Sequence, residues 1–361
     1  MIKKLFFLPV SLVVAMTFSC GAGEDIARPT SADWLVYPVV SGGVAKDGIP
    51  ALNNPETIPA AAASYLTDEA LVIGLVVSGQ PRAYPHAILD WHEVVNEDFS
   101  GKPVVISYCP LTGTSLVFER TVNGRVLNFG VSGLLHNSNL IMFDRQTDSH
   151  WTQMRMQSDE GELVDTNLKV YPSIETTWAT WKKLFPNTVV LSTNTGHERT
   201  YTAGQSFYAL QGYSNIHEPP WFAVTHEDKR LPPKVRVHGI IFKSTLENSP
   251  TKTYIILDQQ KKRVINDSFV DIPVLVIDDG MDNFVVSYTR VVSGTILTFR
   301  LSDDNQGFPF HIKDNETEST WNLLGEAIDG PLLGTKLEKT LSYNAYWFAW
   351  GAFYRNAEIH D

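Results

Sequence analysis

The chain has 361 residues, 43 % of them hydrophobic, with two cysteines and a formal charge of -11 at pH 7. That acidity argues against nucleic acid or an anionic membrane surface as a direct partner, since both select a basic face. The length and apolar content allow a sizeable core without disulfide staples.

The first segment reads as a processing signal. Lys3 and Lys4 form a short positive region, Leu5 to Phe18 an apolar stretch, and Ser19-Cys20-Gly21 a small-residue site ending in cysteine. The junction resembles a lipobox, at which Cys20 would be diacylated and become the new N-terminus. The pattern predicts a signal peptide over 1–20, lipidation at Cys20 and a tether over 21–48. The alternative is an ordinary secretory signal with an incidental cysteine. No later run reaches 18 apolar residues, so membrane contact is expected through the lipid anchor only. The expected location is the cell envelope of a bacterium, facing the periplasm or the surface. With Cys20 acylated, Cys109 is the one thiol left, and an intramolecular disulfide is impossible.

Further along, the chain repeats itself. A shift of 170 lays Val94–Gly130 on Val264–Arg300 without a gap, and ten of those 37 positions are identical, among them Asn96/Asn266, Val104/Val274, Arg120/Arg290, Leu127/Leu297 and Phe129/Phe299. Chance at ordinary composition gives roughly 2 or 3. The same shift carries Ser149 and Trp151 onto Ser319 and Trp321, and one residue less carries Trp178 and Trp181 onto Trp347 and Trp350.

In the first copy, Leu71 to Val77, Val104 to Tyr108 and Leu140 to Asp144 read as strands. Val122-Asn123-Gly124 reads as a hairpin turn between Ser115–Arg120 and Arg125–Phe129. Ser173 to Phe185 places Ile174, Trp178, Trp181 and Phe185 at helical spacing before Pro186. The second copy repeats this with Val274 to Ile277, Phe284 to Arg290, Thr295 to Arg300 and a helix near Ser342 to Phe353. The fold class expected is α+β, predominantly β: two similar β-rich units formed by internal duplication, 49–193 and 235–361. Between them, residues 194–234 read as a connecting loop region.

Residues present in one copy and replaced in the other are not required by the shared scaffold. Tyr108-Cys109-Pro110-Leu111-Thr112-Gly113-Thr114 lies on Asp278-Asp279-Gly280-Met281-Asp282-Asn283-Phe284, and Trp91-His92-Glu93 on Lys261-Lys262-Arg263. Cys109 and His92 therefore belong to the first copy alone, and His92 is the first partner expected for the thiol. Pro110, Thr112, Gly113 and Thr114 form a supporting turn whose amides could face a thiolate or small anion. His86 and His136 could complete a Cys/His site for a soft transition metal, although no tight C-x-x-C or H-x-x-x-H spacing is present. The competing reading is a buried cysteine serving as a small apolar residue.

These motifs resemble an uncharacterised domain family numbered 3179. The resemblance rests on Ala83-Tyr84-Pro85, Trp91 to Asn96, Tyr108 to Thr114, Phe129 to Gly133, Phe143 to Thr147, Ser319 to Gly325 and Trp347 to Trp350, and covers roughly Ile49 to Ile359. The family's usual motif is Tyr-Cys-Pro-Leu-Cys-Gly-Thr, for which the resemblance implies redox or soft-metal chemistry. Here its second cysteine falls on Thr112, so no dithiol cycle is available within the chain. The family carries no assigned activity, so the name brings no substrate.

The function expected is thus an exported lipoprotein with a thiol-based redox or Cys/His metal site at Cys109. The alternative is an envelope binding or structural lipoprotein that uses Tyr208, Tyr213, Trp221 and Phe222 to hold a small molecule or protein.

Overall fold

The computed structural model describes residues 39–202, 207–242, 249–256, 261–303 and 307–360. The signal peptide, Cys20 and the tether up to residue 38 lie outside the described residues. No helix among the described residues is long and apolar enough to cross a membrane.

The first half opens with three short strands, β1 (Val39–Ser41), β2 (Leu52–Asn53) and β3 (Thr57–Pro59), then β4 (Leu71–Val77), β5 (Gln80–Pro85) and helix α1 (His86–His92). A meander follows: β6 (Val94–Asp98), β7 (Pro103–Cys109) and β8 (Thr114–Glu119). Next come the small hairpin β9 (Thr121–Val122) and β10 (Arg125–Val126), and the sheet strands β11 (Phe129–His136), β12 (Asn139–Asp144), β13 (His150–Thr152) and β14 (Gln157–Glu160). The half closes with β15 (Ser173–Thr177), α2 (Trp178–Leu184) and β16 (Val189–Leu191). Between the halves lies α3 (Phe207–Leu210).

The second half follows a similar order, without a counterpart of β1–β3 or of α1 among the described residues. It runs β17 (Arg236–Ile241), β18 (Thr251–Ile255), the meander β19 (Lys262–Phe269), β20 (Ile272–Asp279) and β21 (Phe284–Thr289), and the hairpin β22 (Val291–Val292) and β23 (Thr295–Ile296). Then come β24 (Phe299–Leu301), β25 (Ile312–Asp314), β26 (Thr320–Trp321), β27 (Ala327–Asp329), β28 (Leu341–Tyr346), α4 (Trp347–Phe353) and β29 (Glu358–Ile359). The class is predominantly β. Val104 and Val274 sit on the matching middle strands β7 and β20.

Three of the side chains identical between the halves tie elements together by matching hydrogen bonds. The Asn96 amide brackets the Phe129 peptide with two hydrogen bonds of 2.8 Å, and Asn266 does the same at Phe299 with two of 2.7 Å. Arg120 donates to the carbonyls of Val104 and Leu127, Arg290 to those of Val274 and Leu297. The Trp151 indole donates to Asp144 at 3.0 Å and Trp321 to Asp314 at 2.9 Å. Both hairpins place two residues at positive φ, Asn123-Gly124 and Ser293-Gly294, as a two-residue turn matched to strand twist requires.

The structure differs from the expected elements at both helix starts and within the tether segment. The predicted helix starting at Ser173 begins at Trp178, because Ser173–Thr177 instead pairs antiparallel with β4, and the Thr177 side chain caps the helix by accepting from the Thr180 amide. In the second half, Leu341–Tyr346 is likewise strand, paired with β17. Within the expected tether, Val39–Ser41 pairs with β11, and Arg145 grips Asp47 with two bonds of 2.7 Å. Those residues are therefore part of the sheet system.

The packing between halves is crossed. One core joins Val105, Leu116, Phe129, Leu140 and Trp151 of the first half to Val237, Ala345, Trp347, Trp350 and Tyr354 of the second. The other joins Val72, Ala83, Ile174, Trp178 and Trp181 of the first to Leu275, Ile277, Val286, Phe299 and Trp321 of the second. Each helix-bearing sheet thus lays its helix face on the other half's strands. Its opposite face packs on its own meander, through Ile73, Leu75, Val104 and Ile106 in the first half and Ile240, Val274 and Val276 in the second.

Candidate functional site

Cys109 ends β7, opposite Thr114, and is 1 % exposed. Its thiol donates to the Ser138 carbonyl across 3.6 Å. Burial, then the nearby Glu93 carboxyl, pushes the thiol up to about 11, although bonds from Thr112 and Leu140 pull the other way. Reactivity needs thiolate, and a raised pKa withholds it at neutral pH.

The turn after Cys109 is engaged in holding the two halves together. The Thr112 amide closes back on the Cys109 carbonyl at 3.2 Å, and it and the Thr112 hydroxyl also favour the charged form of the thiol. The Thr112 hydroxyl receives the Thr114 hydroxyl at 2.6 Å and the Asn139 amide at 3.0 Å, and Asn139 also donates to Gln153. The Thr112 carbonyl accepts the Tyr346 amide from the other half, and the Leu111 carbonyl the Tyr213 hydroxyl, both at 2.8 Å. Gly113 has φ +59°, and a Cβ there would sit 3.1 Å from the Tyr346 ring. Pro110 faces a cavity described below.

His92, His136 and His86 each have contacts away from the thiol. His92, at the end of α1, places Nδ1 2.7 Å from the Pro50 carbonyl and Nε2 2.6 Å from the Tyr201 hydroxyl. Burial, foremost, lowers it to about 4. His136 ends β11 and meets the Phe353 ring edge-on at 5.3 Å. His86 opens α1 with its ring 4.1 Å from that of Tyr108. Among the described residues, no group of three or more His, Cys, Asp or Glu side chains is placed to hold a metal. Cys109, His92, His136 and His86 therefore do not converge as the metal site expected from sequence.

Glu93, rather than His92, is the group that senses the thiol. It caps α1 at φ 56°, with its carbonyl accepting the Tyr108 amide at 2.8 Å. Burial and then the Asp90 carboxylate push its pKa up to about 8. In the second half the matching place holds Arg263, which binds Asp278 at 2.9 and 3.1 Å. The register shows Glu93 replaced by Arg263 alongside the change of His92 to Lys262, so its signal lies in the sequence as well.

Beside this pair opens a cavity of about 310 Å³ lined by His86, Asp90, Tyr108, Pro110, Tyr208, Tyr213 and Tyr346, with Glu69 at its edge. Burial lowers His86 to about 4, and its Nε2 is buried without a hydrogen-bond partner. Burial also holds the phenols of Tyr108, Tyr208 and Tyr213 above their ordinary value, so they stay protonated. Trp221 backs the wall, its ring 4.4 Å from Tyr213 and 5.9 Å from Tyr208. The residues read as a connecting loop thus roof the first half's site, and Phe222 joins them by accepting the Ser138 hydroxyl at 2.9 Å. Asp90 and Tyr346 carried no sequence signal, since their relation to Cys109 exists only after folding.

A family model described as "Protein of unknown function (DUF3179)" matches residues 46–357. No curated protein and no solved structure matches the chain.

Proposed function

The chain belongs to the DUF3179 family, and we propose that it is a binding lipoprotein of the cell envelope whose ligand is a small organic cation. The observation that carries this reading is the cavity beside Cys109, lined by four tyrosines with Asp90 and Glu69, and by no Lys or Arg among the described residues. Aromatic faces attract a quaternary ammonium through the ring quadrupole, by about 0.5–2 kcal/mol per ring depending on desolvation. Its volume is at the small end of ligand pockets. The unpartnered His86 nitrogen adds a neutral polar group that a ligand hydroxyl could satisfy.

This reading favours the binding alternative over thiol redox or metal chemistry, because burial keeps Cys109 protonated. It also takes the two halves as products of an internal duplication, supported by the gapless register and the matched Asn, Arg and Trp hydrogen bonds, with the first half specialised. Anchoring through Cys20 is part of the same proposal. A Cys20→Ser chain is expected in the soluble fraction; detergent partitioning unchanged from wild type would rule out the lipid anchor. Titrated with choline or tetramethylammonium, that chain is expected to bind saturably and melt at higher temperature. Tyr208→Ala and Asp90→Asn should each weaken binding by about tenfold, the loss of one such contact. Failure of both probes to bind, or binding unaltered in both variants, refutes the cation site.

A further inference from the structure

A second cleft, of about 230 Å³, opens between the two halves, lined among others by Ser115, Glu175, His238, Ser287, Ser342 and Asn344. On its second-half wall, His238 of β17 lies directly opposite Asn344 of β28 in the sheet register, and β21 brings Ser287 from the facing meander. The imidazole Nδ1 is 2.9 Å from the Asn344 Oδ1, and its Nε2 is 2.8 Å from the Ser287 Oγ. Since a carboxamide oxygen only accepts, Nδ1 carries the proton, and Nε2 is left to accept from the serine hydroxyl. Nucleophile, base and orienting group are thereby linked in the order that serine acyl transfer uses.

We propose that this cleft is an acyl-transfer site for short-chain carboxylic esters, with Ser287 as nucleophile, His238 as general base and Asn344 as the positioning residue. The first half supplies the control. Where the second half has His238, Ser287 and Asn344, the matching strand positions hold Ile73, Val117 and Glu175, and Ile73 and Val117 are fully buried apolar packing. The scaffold is satisfied by two hydrocarbon side chains there. Burying a histidine and a serine instead costs desolvation that hydrogen bonds must offset, so packing does not account for the pair. Glu175 on the facing wall is already engaged by Arg236 and by the Ser115 hydroxyl at 2.7 Å, leaving His238 bonded to neutral partners. Burial, chiefly, lowers His238 to about 4, so the imidazole is unprotonated at neutral pH and free to take a proton.

The chemistry balances with water as the only co-reactant. Ser287 Oγ attacks the ester carbonyl carbon while its proton passes to His238 Nε2. Ser287 Oγ also lies 2.5 Å from the Thr340 hydroxyl and donates to the Ser342 hydroxyl at 3.0 Å, so its single proton has two acceptors, and the step needs it turned to His238 Nε2. The carbon–oxygen bond to the alcohol breaks, the leaving alkoxide takes the proton from His238, and an acyl ester remains on Ser287. Water then attacks that ester, gives its proton to His238, and releases the carboxylic acid as the serine is restored.

The test uses the full chain in detergent, with a fluorophosphonate and p-nitrophenyl acetate as probes. A fluorophosphonate adduct is expected on Ser287 by peptide mass. Turnover of p-nitrophenyl acetate should fall at least about a hundredfold in Ser287→Ala and His238→Gln, in keeping with loss of a nucleophile or its base. Asn344→Ala should lose about tenfold and Asn344→Asp restore it, which a packing role alone would not do. No adduct on Ser287 in the folded wild-type chain overturns the proposal whatever the variants do. So does turnover in Ser287→Ala equal to wild type.

Discussion

Glu93 and Cys109 share one dry corner at the end of α1, and the Glu93 carboxyl makes ionisation of the thiol harder. For Glu93 the consequence is a stability that depends on pH. Its carboxyl titrates at about 8 when folded against 4.5 in an open chain. Between those values the folded form holds a proton that the unfolded form has lost, so stability falls as pH rises through the window. At about 1.4 kcal/mol per unit, the effect is on the order of a few kcal/mol. Glu93→Gln should match wild type near pH 4.5 and exceed it above pH 8 in urea unfolding; parallel pH profiles for the two chains would contradict this. Cys109 was legible because the second half replaces it. Glu93 was less so, because Trp91, His92 and Glu93 are all replaced together. Glu93 owes its place to the φ of 56° with which it ends α1, and sequence does not say which of the three lies by the thiol.

The unit of helix, strand and glycine shows where the sequence pattern was read too far. Trp178 and Trp181, and their matches Trp347 and Trp350, marked α2 and α4 correctly. The residues before them look helical by spacing, yet β4 and β17 offer each a full strand partner, and the ladder wins. The reason these helices sit so close to their sheets is invisible in a single stretch of sequence. Gly74 of β4 and Gly239 of β17 lie directly under Trp181 and Trp350, where an added Cβ would come within 2.1 Å of the indole. A rigid ring in a filled core cannot yield that distance. Gly74→Ala and Gly239→Ala should each cost about 1–3 kcal/mol or more, seen as a melting midpoint lower by several degrees. Either variant melting with wild type would show that the helix can lift away freely.

Two similar halves in a sequence suggest two domains, each with its own core, and the pattern of apolar residues cannot distinguish that arrangement from a crossed one. A strand that alternates correctly for one meander alternates correctly for its twin. The observed choice is crossed: α4 seats Trp347, Trp350 and Tyr354 among first-half strands, and α2 seats Trp178 and Trp181 among second-half strands. The contact is also polar, since the Tyr354 hydroxyl reaches the Met154 carbonyl at 3.1 Å and the Tyr346 amide the Thr112 carbonyl at 2.8 Å. This ties the Cys109 turn to the second half and puts the Ser287 cleft on the seam between halves. Each half alone would expose the tryptophan face of its helix and the inner face of its strands. An apolar area of that kind is not left in water by a stable monomer. Residues 39–234 and 235–361 expressed separately should therefore lack a cooperative thermal transition, and the two mixed in refolding should recover one. The mixture should also regain the near-ultraviolet dichroism of its packed tryptophans. A lone first half that melts sharply and binds choline as the full chain does would mean that its core closes without α4, and that the crossing is only a contact between two finished domains.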